Sequence, residues 1–175
     1  MTNPIEIDVW QGEIAQLEVD AIVVPANESL FMTGAIAAGV KRQAGEAVER
    51  EAVARGPIQP GAVTITTGGL LATPYILHAV AVGHDLRPDA AVLAQALDAI
   101  LNLAEMLGAK RIAIPLIGAE RGVHQPDDAA TALAAALDRH GAREDRGLET
   151  VVLVAGSAAE VSAIGAAVQA RSANQ

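Results

Sequence analysis

A three-layer α/β sandwich, with helices on both faces of a central mixed but largely parallel sheet, is the fold class that this sequence predicts. Three observations point to it. Short apolar or β-branched runs alternate with longer amphipathic stretches, most regularly in the second half, which is the pattern of βαβ crossovers. Ala21-Ile22-Val23-Val24 has no polar position and reads as a strand buried on both faces, as parallel sheets require. Charge and apolar content are spread evenly over 175 residues, without internal repeat or low-complexity linker. The chain is therefore read as one domain, 1–175.

The elements follow from period and punctuation. Ile5 to Trp10 alternates apolar and polar residues, a strand with one solvated face. Asp20 opens the apolar strand that Pro25 ends. From Gly34 or Ala35 to Arg55 the pattern is helical, with Glu46–Arg50 and Glu51–Arg55 four apart in the favourable order. Gly56-Pro57 stops that helix. Ala62 to Thr67 is β-branched and reads as a strand; after the turn at Gly68-Gly69, Tyr75 to Val82 reads as another. Pro88 to Leu107 is a long amphipathic helix closed by Gly108. Arg111 to Leu116 is a strand, and Asp127 to His140 an Ala/Leu-rich helix led by Pro126 and acidic residues. Thr150 to Val154 is the last strand and Ala158 to Ala170 the last helix. The predicted order is ββαββαβαβα.

Composition excludes several function classes. A net charge of −9 does not supply the basic surface that bulk nucleic acid or an anionic membrane needs. One Phe, one Tyr and one Trp give almost no stacking platform for single-stranded nucleic acid. With no cysteine there is no disulfide scaffold, thiol catalysis, Cys–zinc site or iron–sulfur cluster. No apolar run is long enough to span a membrane. Met1 to Trp10 lacks a basic start and carries Glu6 and Asp8, so it does not read as a signal peptide, and a cytoplasmic location is expected. A small phosphorylated ligand stays open, because amides and a helix N-terminus can hold an anion without net positive charge.

Ligands of such sheets sit outside the carboxyl ends of the strands, here after Val24, Val82, Leu116 and Val154. Two of these segments are Gly-bearing loops that feed helices. The first, Pro25 to Ile36, holds Asn27 at the strand end and Thr33-Gly34-Ala35-Ile36 at the helix start. It is an anion site in form, and the Asn27 amide can both donate to and accept from a hydroxyl. The second, Ile117-Gly118-Ala119-Glu120-Arg121-Gly122, has two glycines four apart and an Arg able to reach a phosphate. From spacing alone, a plain turn is the stronger reading of the first loop and accounts for the second at least as well. The stretch Gly34 to Lys41 does not meet the P-loop pattern, because Arg42 stands where Ser or Thr should. Asp127 and Asp128, with His124, are explained by the helix dipole rather than by a metal. His78 reads as a hydrogen-bonded core residue, and His84-Asp85 could face the cleft. Ser29 and Ser157 lack a nucleophile-elbow context.

Together, Val19-Asp20-Ala21-Ile22-Val23-Val24-Pro25-Ala26-Asn27 resembles the V-D-A-I-V-N-A-A-N signature of the macrodomain family. Further matches follow in order: Gly34 to Val40 at the Gly-rich first phosphate loop, Gln43-Ala44-Gly45, Gly61 to Thr67, Tyr75-Ile76-Leu77-His78-Ala79-Val80, and Ala113 to Gly118 before the second phosphate loop. The similarity spans residues 5 to 156. The resemblance implies a cleft for ADP-ribose or an ADP-ribosylated macromolecule, with no cofactor. It gives Asp20, beside Ala21, the adenine amino group, and Asn27 the distal ribose. Thr33, Gly34, Ala35 and Ile36, facing the loop from Ile117 to Gly122, would clamp the diphosphate with backbone amides. The alternatives are an ADP-ribosyl hydrolase or O-acetyl-ADP-ribose deacetylase, with Asn27 as the catalytic candidate, and a diverged nucleotide-binding or interaction scaffold. Three departures bear on them. Ala37 stands where hydrolytic relatives have an acidic residue, Glu120-Arg121 replaces the usual second-loop sequence, and Ala155 stands where an aromatic commonly stacks on adenine. Phe31 and Tyr75 are the candidates to compensate for that aromatic.

Overall fold

The structure is a computed structural model and describes residues 4–173. The strands are β1 (Glu6–Gln11), β2 (Ala21–Pro25), β3 (Val63–Thr67), β4 (Tyr75–Ala79), β5 (Arg111–Pro115) and β6 (Thr150–Ala155). The helices are α1 (Ala35–Ala44), α2 (Glu46–Val53), α3 (Ala90–Met106), α4 (Pro126–Gly141) and α5 (Ala158–Ala173), with a single 3-10 turn at Ile14–Gln16. The sheet order is β1-β6-β5-β2-β4-β3, parallel throughout except for β3, which runs antiparallel to β4.

Strand β2 shows why the apolar run needs two covered faces. Ala21 and Val23 enter the core layer built with α3, α4 and α5. Ile22 and Val24 point the other way, into the layer built with α1 and α2. All four are fully buried, as a side-chain period of two between helical layers demands. Neighbouring strands repeat the division: Ile112 and Ile114 go to the first layer, Ala113 to the second. With few aromatics the core is aliphatic, and cutting a residue such as Ile114 to Ala costs about 2–5 kcal/mol.

Several elements depart from expectation. The predicted helix to Arg55 is broken at Gly45, whose φ is +93°. The Gly45 N–H donates to Lys41 O (2.9 Å), closing α1, and Glu46 starts α2. Across the break, the Leu70 N–H donates to Ala44 O (2.9 Å), so the β3–β4 turn takes the carbonyl that a continuous helix would use. Glu51 still pairs with Arg55 at 3.5 Å. Strand β4 ends at Ala79 rather than Val82, where its pairing with β2 ends at Pro25. Helix α3 begins at Ala90, since the Asp89 carboxylate caps it by accepting from the N–H groups of Ala91 (2.9 Å) and Val92 (3.1 Å).

His78 is a core residue, its Nε2 lying 2.8 Å from Thr66 Oγ1. Burial pushes its pKa down to about 4. Buried His140 joins α4 to α3 through Glu105 at 2.8 Å. Burial alone would raise the Glu105 pKa. The bond from His140 and the N–H groups of Gly147 and Leu148 outweigh that and hold it below the ordinary carboxylate range. Among the described residues, no helix is long and apolar enough to cross a membrane.

Candidate functional site

Because β1, β6, β5, β2 and β4 run the same way, their carboxyl ends form one edge of the sheet. A trough follows that edge. At one end is a largely apolar cavity of about 210 Å³ between the turn after β1 (Gly12, Glu13, Ile14, Ala15), the inner side of α1 (Ala35, Ile36, Gly39, Gln43) and the start of α5 (Gly156, Glu160). Ala35 and Ile36 also wall the next recess, a waist of only about 20 Å³, together with Asn27, Phe31, Gly34, Ala37, Glu120 and Arg121. Asn27, Phe31 and Arg121 then border an open end of about 360 Å³ with Thr33, Gly83 and His84.

The first loop is held from behind. Asn27 Nδ2 donates to Phe31 O (2.9 Å), while its Oδ1 is buried without a partner. Leu30 tolerates a φ of +63° because its side chain is fully buried against Ala52 and Val80. The Met32 N–H donates to Glu49 Oε2 (2.7 Å), and Glu49 also pairs with Lys41 at 3.1 Å. Burial would raise the Glu49 pKa, but the Met32 amide and Lys41 bring it below the usual range. Thr33 does not cap α1. Gly34 is the N-cap residue of α1, and no side chain caps the helix. The first amides of α1 thus meet the waist with the positive end of the helix dipole behind them.

The second loop is held by its own backbone. The N–H of Ala119 donates to Leu116 O, that of Gly122 to Ala119 O, and those of Val123 and His124 to Gly118 O. Gly118 has a φ of +86°, and a Cβ there would lie 2.5 Å from the His124 ring, so only glycine fits. At the tip, Glu120 Oε2 is shielded from solvent without a partner, as is His124 Nε2. Burial raises the Glu120 pKa.

Several sequence-predicted residues meet here: Asn27, Gly34, Ala35, Ile36, Glu120 and Arg121 border the waist, and Thr33 the open end. Ile117 sits in the core and Ala119 packs against it. Gly122, with a φ of +68°, turns the loop. Asp20 and Ala21 do not join them. They precede and begin β2, at the amino edge of the sheet, and the Asp20 carboxylate accepts from the N–H groups of Lys110 (2.7 Å) and Arg111 (2.8 Å). The assignment of Asp20 to an adenine amino group is therefore corrected: a residue that enters a strand cannot reach the edge at which the strand leaves. Tyr75, at the start of β4, is at the amino edge too, and Phe31 borders the waist and open end, not the cavity. Neither replaces the aromatic absent at Ala155.

Sequence reasoning missed the other end of the trough. Glu13 Oε2 accepts from Gln43 Nε2 (2.7 Å). At the start of α5, Ser157 Oγ accepts from the Glu160 N–H (3.2 Å) and Glu160 Oε2 from the Gly156 N–H (2.7 Å). The signal was the polar turn Gly12-Glu13 after the first strand, which shares the carboxyl edge once β1 is known to lie parallel to β6.

An uncharacterised protein of Mycobacterium tuberculosis is 34% identical over 166 residues, covering 95% of this chain but 45% of that protein, so the chain spans less than half the length of this relative. One from Aquifex aeolicus is 34% identical over 151 residues, 86% of this chain and 90% of that protein. Among solved structures, the Trypanosoma brucei macrodomain in complex with ADP-ribose superposes with a TM-score of 0.84 at 23% identity, over 93% of this chain and 69% of that one. The Oceanobacillus iheyensis macrodomain with ADP gives 0.85 at 21% identity, over 100% and 97%. The family model described as Macro domain matches residues 23–133. The mixed six-stranded sheet, the helical layers and this match agree: the chain belongs to the Macro domain family.

Proposed function

We propose that this chain is a binding module for ADP-ribose, free or carried on an ADP-ribosylated macromolecule. The observation that carries the reading is the continuous trough, whose three recesses share Ala35 and Ile36 at one junction and Asn27, Phe31 and Arg121 at the other. Its shape suits such a ligand. The apolar cavity takes the base, with Glu13 and Gln43 at its rim in the place first assigned to Asp20. The waist takes the diphosphate, between the start of α1 and the Gly118–Gly122 loop, and oriented amides replace the basic surface that the chain lacks. The open end takes the distal ribose, where Asn27 Oδ1 offers an acceptor. That a T. brucei macrodomain has been solved with ADP-ribose supports the reading. Ala37, buried in α1, offers no proton, which favours binding over turnover.

Calorimetric titration with ADP-ribose tests it. Saturable one-to-one binding is expected, with Asn27→Ala about tenfold weaker. Absence of heat at about millimolar ligand, where even weak sites fill, would overturn the reading.

A further inference from the structure

The waist holds a group that does not belong beside a diphosphate. Glu120 projects from the tip of the second loop into the narrowest part of the trough, opposite Asn27 and the start of α1. Its Oε2 is shielded from water and has no hydrogen-bond partner. A carboxylate in that position is short of solvation, and a second anion brought alongside would add like-charge repulsion. A carboxylic acid there instead has one O–H to donate, and phosphate oxygens are strong acceptors.

Resting on the reading of this trough as an ADP-ribose site, we propose that ligand binding is coupled to uptake of one proton by Glu120, so that the cleft binds the diphosphate more tightly as pH falls. The surroundings are consistent with this. Burial already raises the Glu120 pKa, and the carboxylate of Glu160, on α5, adds to the rise. The amides of Glu120 and Gly118 and the guanidinium of Arg121 oppose it and keep the group titratable. The other waist residues, from β2, the first loop and α1, carry no charge. The ligand itself does not confuse the measurement, because both charges of a diphosphate diester are fixed near neutral pH. His84 lies in the neighbouring recess, 3.0 Å from Glu28, so a variant at Glu120 is needed to separate the two side chains.

The experiment is titration with ADP-ribose from about pH 5.5 to about pH 8, in buffers of different ionisation enthalpy, on the wild-type chain and on Glu120→Gln. For the wild type, proton uptake is expected, with Kd rising by up to about tenfold per pH unit at the alkaline end. Glu120→Gln keeps the shape and an N–H donor without the charge. It should bind without proton uptake, nearly independently of pH, and about tenfold more tightly than the wild type at about pH 8. Thermal melting of both proteins without ligand confirms equal folding. Binding with no proton uptake, or proton uptake that survives in Glu120→Gln, would overturn the coupling while leaving the ADP-ribose site intact. A failure of both proteins to bind at any pH would overturn the site itself and the coupling with it.

Discussion

The two edges of the sheet each carry a carboxylate beside a strand, and the two groups do opposite things. At the amino edge, Asp20 accepts two short bonds from the amides of Lys110 and Arg111, and its own N–H donates to Arg111 O (2.8 Å). It fastens the entry of β2 to that of β5. At the carboxyl edge, Glu13 is exposed, its carboxylate accepts from the Gln43 side chain, and it borders a cavity. A carboxylate whose acceptors are filled by backbone amides maintains a fold; one that ends in an unfilled recess is available to a ligand. Ligands of α/β sheets sit at the carboxyl edge, the side on which Glu13 stands.

This contrast can be broken by experiment. The largest effect lies in the core between the edges and sets the pH at which they should be compared. Free histidine titrates near 6.5, whereas His78 in the folded chain is held at about 4. Between these values the unfolded chain binds a proton that the native state refuses. Stability is therefore full above about pH 6.5 and declines by about 3 kcal/mol as pH falls toward 4. Urea denaturation at several pH values should show this slope, and His78→Gln should flatten it; an unchanged slope would place the titration elsewhere. Next in size is Asp20→Ala, which should lower stability by about 2 kcal/mol, read from the urea midpoint at neutral pH. Its Kd for ADP-ribose should stay within about twofold of wild type. The smallest effect is the mirror image: Glu13→Ala should change stability by less than about 0.5 kcal/mol and weaken binding about tenfold. If Asp20→Ala impaired binding and Glu13→Ala impaired folding, the division between the edges would be wrong.

How much was legible in the sequence follows the same line. The unbroken apolar run from Ala21 to Val24 announced a strand covered on both sides, and the acidic residues after Pro126 announced a helix start. Both signals are local. The side of the sheet on which Asp20 lies was also legible, since a residue preceding a strand stands at its amino end; the family signature drew attention to the residue type and away from its direction. Glu13 was hidden for a stronger reason. Its place in the trough depends on β1 pairing in parallel with β6, about 140 residues away in the chain. The break at Gly45 depends likewise on the Leu70 amide reaching Ala44 O. Periodicity carries no information about such distant partners.

That last bond ties a remote turn to the waist of the trough. A Cβ at Gly69 would come within 2.3 Å of Ala44 O, so the hairpin between β3 and β4 sits hard against the far end of α1. The near end of the same ten-residue rod presents its amides to the waist. A bulkier hairpin would tip the rod like a lever and shift its amide tip relative to an anion seated there, although no altered atom would touch the anion.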